Sequence, residues 1–125
     1  MTVTRIGERI RFYRDGSYFN GILTAIPLGL DRGSHVRVCV PHEHMTIPVP
    51  IRACESQNGR AVESDLLGFS ATVATRASFF EGVISTLLWI DDVPFVILAN
   101  PRNSEAHSGF VELSVVEVGM RHIHV

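Results

Sequence analysis

Slid along itself by 61 positions, the chain repeats. Gly7 and the segment Ser17-Tyr18-Phe19-Asn20-Gly21-Ile22-Leu23-Thr24 fall, without a gap, on Gly68 and Ser78-Phe79-Phe80-Glu81-Gly82-Val83-Ile84-Ser85. Seven of these last eight pairs are identical or conservative, and both copies keep the 14-residue spacing of their glycines. A lone module of roughly 60 residues buries only about 60% of its unfolded-chain surface and is marginal by itself. Two copies sharing an apolar interface solve that problem. The expected organisation is therefore an internal duplication, residues 1–60 and 61–125, packed as one compact unit.

Each copy reads as β-structure. Glu8–Arg14 alternates, with Ile10 and Phe12 on one face and Arg9, Arg11 and Tyr13 on the other, the period of a half-buried strand. Asp15-Gly16 is a hairpin signal. Ser17–Ile26 is apolar on both faces, so it belongs between its own core and a partner, and Gly21 inside it marks a bulge or a close backbone approach. Val36, Val38 and Val40 predict a third strand and Pro41–His44 a turn. Pro48 and Pro50 on one face predict an edge strand. Ser56–Arg60 reads as the linker and Glu63–Leu67 as one helical turn. The second copy repeats the plan: strands over Gly68–Arg76 and Ser78–Ile90, a turn at Asp91-Asp92, and a buried strand over Pro94–Ala99. A polar loop over Asn100–Gly109 and a closing strand over Phe110–Val118 follow. No segment sustains a 3.6-residue period, so the chain is all-β. Small residues Ser70, Thr72 and Ala74 stand where the first copy has Arg9, Arg11 and Tyr13, which predicts that the second face is packed and the first wet.

Charge is uneven. Residues 1–60 hold eight Arg against five acids, residues 61–125 three against eight, there is no lysine, and the net charge is −2. Such asymmetry favours contact between copies or gives the first half affinity for anions. Two cysteines, Cys39 and Cys54, make a poor disulfide framework. The start Met-Thr-Val-Thr-Arg-Ile lacks the apolar core of a signal peptide, and the longest uncharged runs are too short to span a bilayer. A cytoplasmic protein with free thiols and no membrane partner is expected.

The stretch Gly-Glu-Arg-Ile-Arg…Asp-Gly-Ser-Tyr-Phe-Asn-Gly-Ile-Leu-Thr-Ala-Ile resembles the opening of a small SH3-like barrel. Within that group it is most similar to type II, plasmid-encoded dihydrofolate reductase. Ser104-Glu105-Ala106-His107-Ser108-Gly109-Phe110-Val111-Glu112-Leu113 resembles that family's Ser-Glu-Ala-His-Pro-Gly-Ser-Val-Gln-Ile. The resemblance implies two tandem SH3-like barrels of five strands each. In that family four barrels surround one pore in which NADPH and dihydrofolate bind. Its pore motif, Val-Gln-Ile-Tyr, corresponds here to Val111-Glu112-Leu113-Ser114 and to Met45-Thr46-Ile47-Pro48. The glutamine has become Glu112 or Thr46 and the tyrosine Ser114 or Pro48. The family's pore-mouth lysine pair falls on Phe12-Tyr13 and on Val73-Ala74. A carboxylate ring at Glu112 repels both anionic ligands.

Arg9, Arg11, Tyr13 and Arg14, beside Arg37, form the candidate contact surface, supplemented by Glu105 and His107. Arginine reads phosphate or carboxylate, and an interleaved aromatic stacks on bases. A protein, a small anionic ligand and a nucleic acid are the partner classes this composition admits, and the acidic second half argues against strong non-specific nucleic-acid binding. His42 with His44, and His122 with His124, lack a third ligand at motif spacing, so no metal is expected. Ser104, Glu105, His107 and Ser108 are ordinary turn chemistry, so no catalytic residue is assigned. The reading is a non-enzymatic binding module without a cofactor, self-associating as a homodimer through its apolar second strands. Its rivals are a diverged NADPH-dependent reductase using Thr46, Ile47, Val111, Glu112 and Leu113, and a nucleic-acid-binding barrel.

Overall fold

The computed structural model describes residues 5–27, 34–74 and 79–121; the loop predicted over Pro27–Gly33, apart from Pro27, and the pair His122/His124 lie outside them. Ten strands and one helical turn follow in order: β1 (Glu8–Arg14), β2 (Ser17–Ala25), β3 (His35–Val40), β4 (Met45–Pro50), β5 (Cys54–Arg60), α1 (Glu63–Leu66), β6 (Phe69–Ala74), β7 (Phe79–Ile90), β8 (Val93–Asn100), β9 (Asn103–Glu112) and β10 (Val116–Arg121). They form two antiparallel sheets of five strands, ordered β4-β3-β2-β1-β5 and β9-β8-β7-β6-β10. The chain is all-β, and β4 is an edge strand, as its prolines require.

The two sheets share more than strand order. Ile10 pairs with Gly21 and Ala71 with Gly82; Phe12 pairs with Phe19 and Val73 with Phe80. Both second strands bulge at the same place, between Leu23 and Ala25 and between Ile84 and Thr86. Gly7 N–H donates to Leu23 O, and Gly68 N–H to Ile84 O. In each unit a 3-10 turn, Ile51–Ala53 or Leu113–Val115, leads into the last strand, which returns to pair with the first.

Inward side chains from all five strands of the first sheet make one core: Ile10, Phe12, Leu23, Val36, Val38, Val40, Val49 and Cys54. One face closing on one core is what makes each unit barrel-like. The second core gathers Phe69, Ala71, Val73, Ile84, Leu87, Val96, Leu98, Leu113, Val116 and Val118, and with them Ile22 and Cys39 from the outer face of the first sheet. Ile22 is 2% exposed and Cys39 0%, so the first barrel's outer face is a wall of the second barrel's core. Burying a side chain such as Ile22 contributes about 1.5–3 kcal/mol.

Polar contacts fasten the same seam. Thr46 Oγ1 donates to Gly119 O at 2.7 Å, and Arg121 N–H donates to His44 O at 3.0 Å, so the β4 edge is met by β10. Trp89 Nε1 donates to Ala61 O at 2.9 Å, and the Arg60 guanidinium lies 4.7 Å above the indole. Gly7 has φ +88, and a Cβ there meets the indole at 2.6 Å; only glycine serves both the turn and the contact. Trp89 thus fills the space between Gly7 and Ala61.

Several expectations are corrected. Ser56–Arg60 is not a linker but part of β5, whose alternate backbone groups pair with β1. Asn100–Gly109 is not a loop: β8 runs to Asn100, the turn is Pro101-Arg102, and β9 begins at Asn103 with shifted register. Phe110–Val118 is broken by the turn at Leu113–Val115. The expected contrast between the outer faces of the two first strands is absent: Arg9 and Arg11 are half-buried and Tyr13 exposed, as in the second copy. Ala74 is exposed, Ser70 and Thr72 are half-buried, and it is the Ile22–Cys39 row of the first sheet that is covered. The helical turn over Glu63–Leu66 is present, its N-terminus held by Asp65 accepting from Val62 N–H at 2.8 Å. Among the described residues no helix is long and apolar enough to cross a membrane.

Candidate functional site

The β1–β2 register sets Arg11 opposite Asn20 and Tyr13 opposite Tyr18, and β5 adds Glu55 opposite Arg11. The result is a ladder on the outer face of the first sheet. The Tyr13 and Tyr18 rings meet edge to face at 5.1 Å, and the Arg11 guanidinium lies 4.7 Å over Tyr18. The two tyrosines are 57% and 63% exposed, which leaves them available as a stacking platform.

The arginines are less free than the sequence suggests. Arg9 pairs with Asp65 at 2.9 Å and its Nε donates to Arg60 O; Arg11 pairs with Glu55 at 2.9 Å; Arg14 stands 3.9 Å from Asp15. Exposed pairs of this kind are worth about 0–1 kcal/mol, but each neutralises a cation, so the face is polar and aromatic rather than strongly basic. Arg37 does not join it. It stands on the same side of the sheet but beyond the Ile22–Cys39–Thr46 row, with Nη2 donating to Thr46 O. Glu105 and His107 lie on β9, the edge of the other sheet, where His107 Nδ1 accepts from Gly109 N–H.

The residues matching the reductase pore diverge as well. Thr46 is committed to Gly119 at the seam, and Ile47 packs against the first core. Glu112 is exposed on β9, bonded by Ser114 Oγ; Val111 packs on the second core and Leu113 is 0% exposed within it. Within one chain Thr46 and Ile47 sit on β4 at the seam with β10, whereas Val111 and Glu112 sit on β9, at the other end of the second sheet. His44 Nδ1 accepts from Arg121 Nε at 2.8 Å, while His42 faces a cleft with Arg9. Among the described residues no group of three or more His, Cys, Asp and Glu is placed to hold a metal.

A second surface was hidden in the sequence by reading Pro94–Ala99 as wholly buried. Pro94, Val96 and Leu98 do point inward, but Val93, Phe95 and Ile97 face out. They pair laterally with Ile90, Leu88 and Thr86 on β7, and Phe95 and Ile97 with Glu112 and Phe110 on β9. Leu88 is 43%, Ile90 46% and Phe110 50% exposed. The rungs Ile90–Val93, Leu88–Phe95 and Ile97–Phe110 make an apolar sheet face bordered by Thr86 and Glu112. Tyr18, by contrast, was legible: a two-residue turn at Asp15-Gly16 places it opposite Tyr13 by counting.

Both thiols are free and buried. Burial pushes Cys39 up to about 12, against opposing pulls from the Thr46 hydroxyl and the Arg121 charge, and pushes Cys54 up to about 11. Neither is a nucleophile at neutral pH. Between pH 9 and these values the unfolded chain releases thiol protons that the folded chain keeps. Stability is therefore fully present below pH 9 and falls above it, by at most about 1.4 kcal/mol per pH unit per thiol. Denaturant unfolding at several pH values checks this: Cys39→Ala with Cys54→Ala is expected to flatten that alkaline decline, and an unchanged decline contradicts it.

No known family's sequence model matches this chain, and no curated protein matches it either.

Proposed function

We propose that the protein is a non-enzymatic interaction module, built from duplicated SH3-like barrels, that works as a homodimer. The observation carrying this reading is the uncovered apolar face of β7, β8 and β9. Soluble domains rarely leave an apolar face of this kind in water. The occupant that fits is a second copy. In the first barrel the outer face of β2 and β3 is covered by another barrel; in the second barrel the corresponding strand pair, β7 and β8, has no such cover among the described residues. Two chains related by a two-fold axis supply it for each other and close the assembly. The dimer then presents two Tyr13–Tyr18–Arg11 ladders as contact surfaces for a protein or small anionic partner.

Sedimentation velocity across a concentration series tests the assembly. The wild-type chain is expected to sediment as a dimer, and Leu88→Glu with Phe110→Glu as a monomer, its dissociation constant raised at least about 100-fold by burying carboxylates in an apolar interface. Tyr13→Ser with Tyr18→Ser, on the other barrel, is expected to leave the dimer intact. A monomeric wild type, or a glutamate double variant that still dimerises, overturns the assignment. NADPH oxidation with dihydrofolate is expected to stay at the uncatalysed rate, because the pore glutamine is replaced by Thr46 and by Glu112, whose carboxylate repels both anionic ligands; turnover abolished by Glu112→Ala reverses the reading.

A further inference from the structure

The two barrels carry the same cleft. In the first, a cavity of about 270 Å³ is lined by Arg9, Asn20, Gly21, Ile22, Pro41 and His42. In the second, one of about 330 Å³ is lined by Ser70, Glu81, Gly82, Val83, Pro101 and Arg102. The offsets are 61 for the strand residues and 60 for the proline and the basic residue after it. Those same offsets relate the Ile22–Cys39 pairing to the Val83–Ala99 pairing. Almost every side chain has changed between the copies, yet the cleft has kept its place, because the strand pairing that frames it is the same.

A Cβ on Gly21 meets the core side chain of Val38, and one on Gly82 meets Ala99 O, so both positions stay glycine and the strands that frame the two clefts pair in the same register. A proline then ends the third strand in each barrel and places His42 or Arg102 on the rim. A carboxylate stands in each cleft or beside it: Asp65 in the first and Glu81 in the second. Amides complete both, Asn20 and Gln57 in one and Asn100 in the other.

From this paired geometry we infer that each barrel binds one small zwitterion of amino-acid size, its carboxylate toward His42 or Arg102 and its ammonium toward Asp65 or Glu81. The volumes match a ligand of that size, and charge-assisted hydrogen bonds at both ends supply orientation. The sites are not equal. Asp65 already accepts from Arg9 and from Val62 N–H, whereas Glu81 and Arg102 make no ion pair among the described residues. The second cleft is the stronger.

Titration of the ¹⁵N-labelled full chain with an equimolar mixture of free α-amino acids, read at backbone amides, tests this. Propionate and ethylamine serve as the anion-only and cation-only arms. Gly82, Glu81 and Arg102 are expected to shift at lower ligand concentration than Gly21, Asn20 and His42. Arg102→Ala, at an exposed turn, is expected to weaken the second site about tenfold without moving the first, and His42→Ala to do the converse. The idea is overturned by shifts confined to one barrel, by equal shifts with propionate alone, or by no shifts at millimolar ligand. Because the signal is read residue by residue, it stands or falls separately from the dimer: the same titration on the Leu88→Glu, Phe110→Glu chain gives the same outcome if the clefts are real.

Discussion

Replacing Phe69 with alanine is expected to lower the free energy of unfolding by about 3–5 kcal/mol, the usual cost of deleting a fully buried aromatic. The position justifies the upper part of that range. Phe69 is 0% exposed and belongs to the core that also contains Ile22 and Cys39 of the other barrel. Its outer ring face is roofed by the Arg121 guanidinium at 4.8 Å, which limits how far the surroundings can collapse into the cavity. The first barrel supplies part of this core, so the variant is expected to melt in a single transition at lower denaturant, both barrels together. Chemical denaturation followed by Trp89 fluorescence and far-UV dichroism checks both statements. A loss below about 1 kcal/mol, or two separated transitions, contradicts the shared core.

Arg121→Met is expected to cost about 3 kcal/mol. Its guanidinium donates to His44 Nδ1 at 2.8 Å, to Pro41 O at 2.6 Å and to Leu67 O at 3.4 Å. It thereby ties the end of β10 to the turn after β3 and to the end of α1. Hydrogen bonds from a charged donor are each worth about 1.5–3 kcal/mol, and removing the donor strands part-buried acceptors. Methionine keeps apolar contact with Phe69 and removes only the polar part. Arg121→Lys is expected to recover less than half, because an ammonium donates from a single nitrogen and cannot span the three acceptors that Nε, Nη1 and Nη2 reach. If the methionine variant lies within about 1 kcal/mol of wild type, the seam is held by apolar packing alone.

Much of this architecture was legible in residue order. Alternation in Glu8–Arg14, the Asp15-Gly16 turn and the two prolines of β4 act through nearest neighbours and the period of a strand. They predicted β1, the first hairpin and the edge as they stand. The polar stretches misled. Ser56–Arg60 and Asn100–Gly109 carry loop-like letters, but a strand with one neighbour needs few apolar side chains, so edge pairing prevailed over propensity. The ladder of Arg11, Tyr13 and Tyr18 follows from local register, whereas the pairing of Arg9 with Asp65 and of Arg11 with Glu55 does not.

What the sequence determined by itself is therefore the all-β class, the two barrel-like units and the inward face of nearly every strand, because those depend on periodicity and turn chemistry within a few residues. The tertiary structure alone decided which outer face is covered and which is not. Ile22 and Leu88 are both apolar residues on an outer sheet face, and nothing local tells them apart. One is buried and the other open because the second barrel packs over the first sheet at β10 and α1, a choice set by contacts between residues about 40 to 100 positions apart that no window of sequence contains.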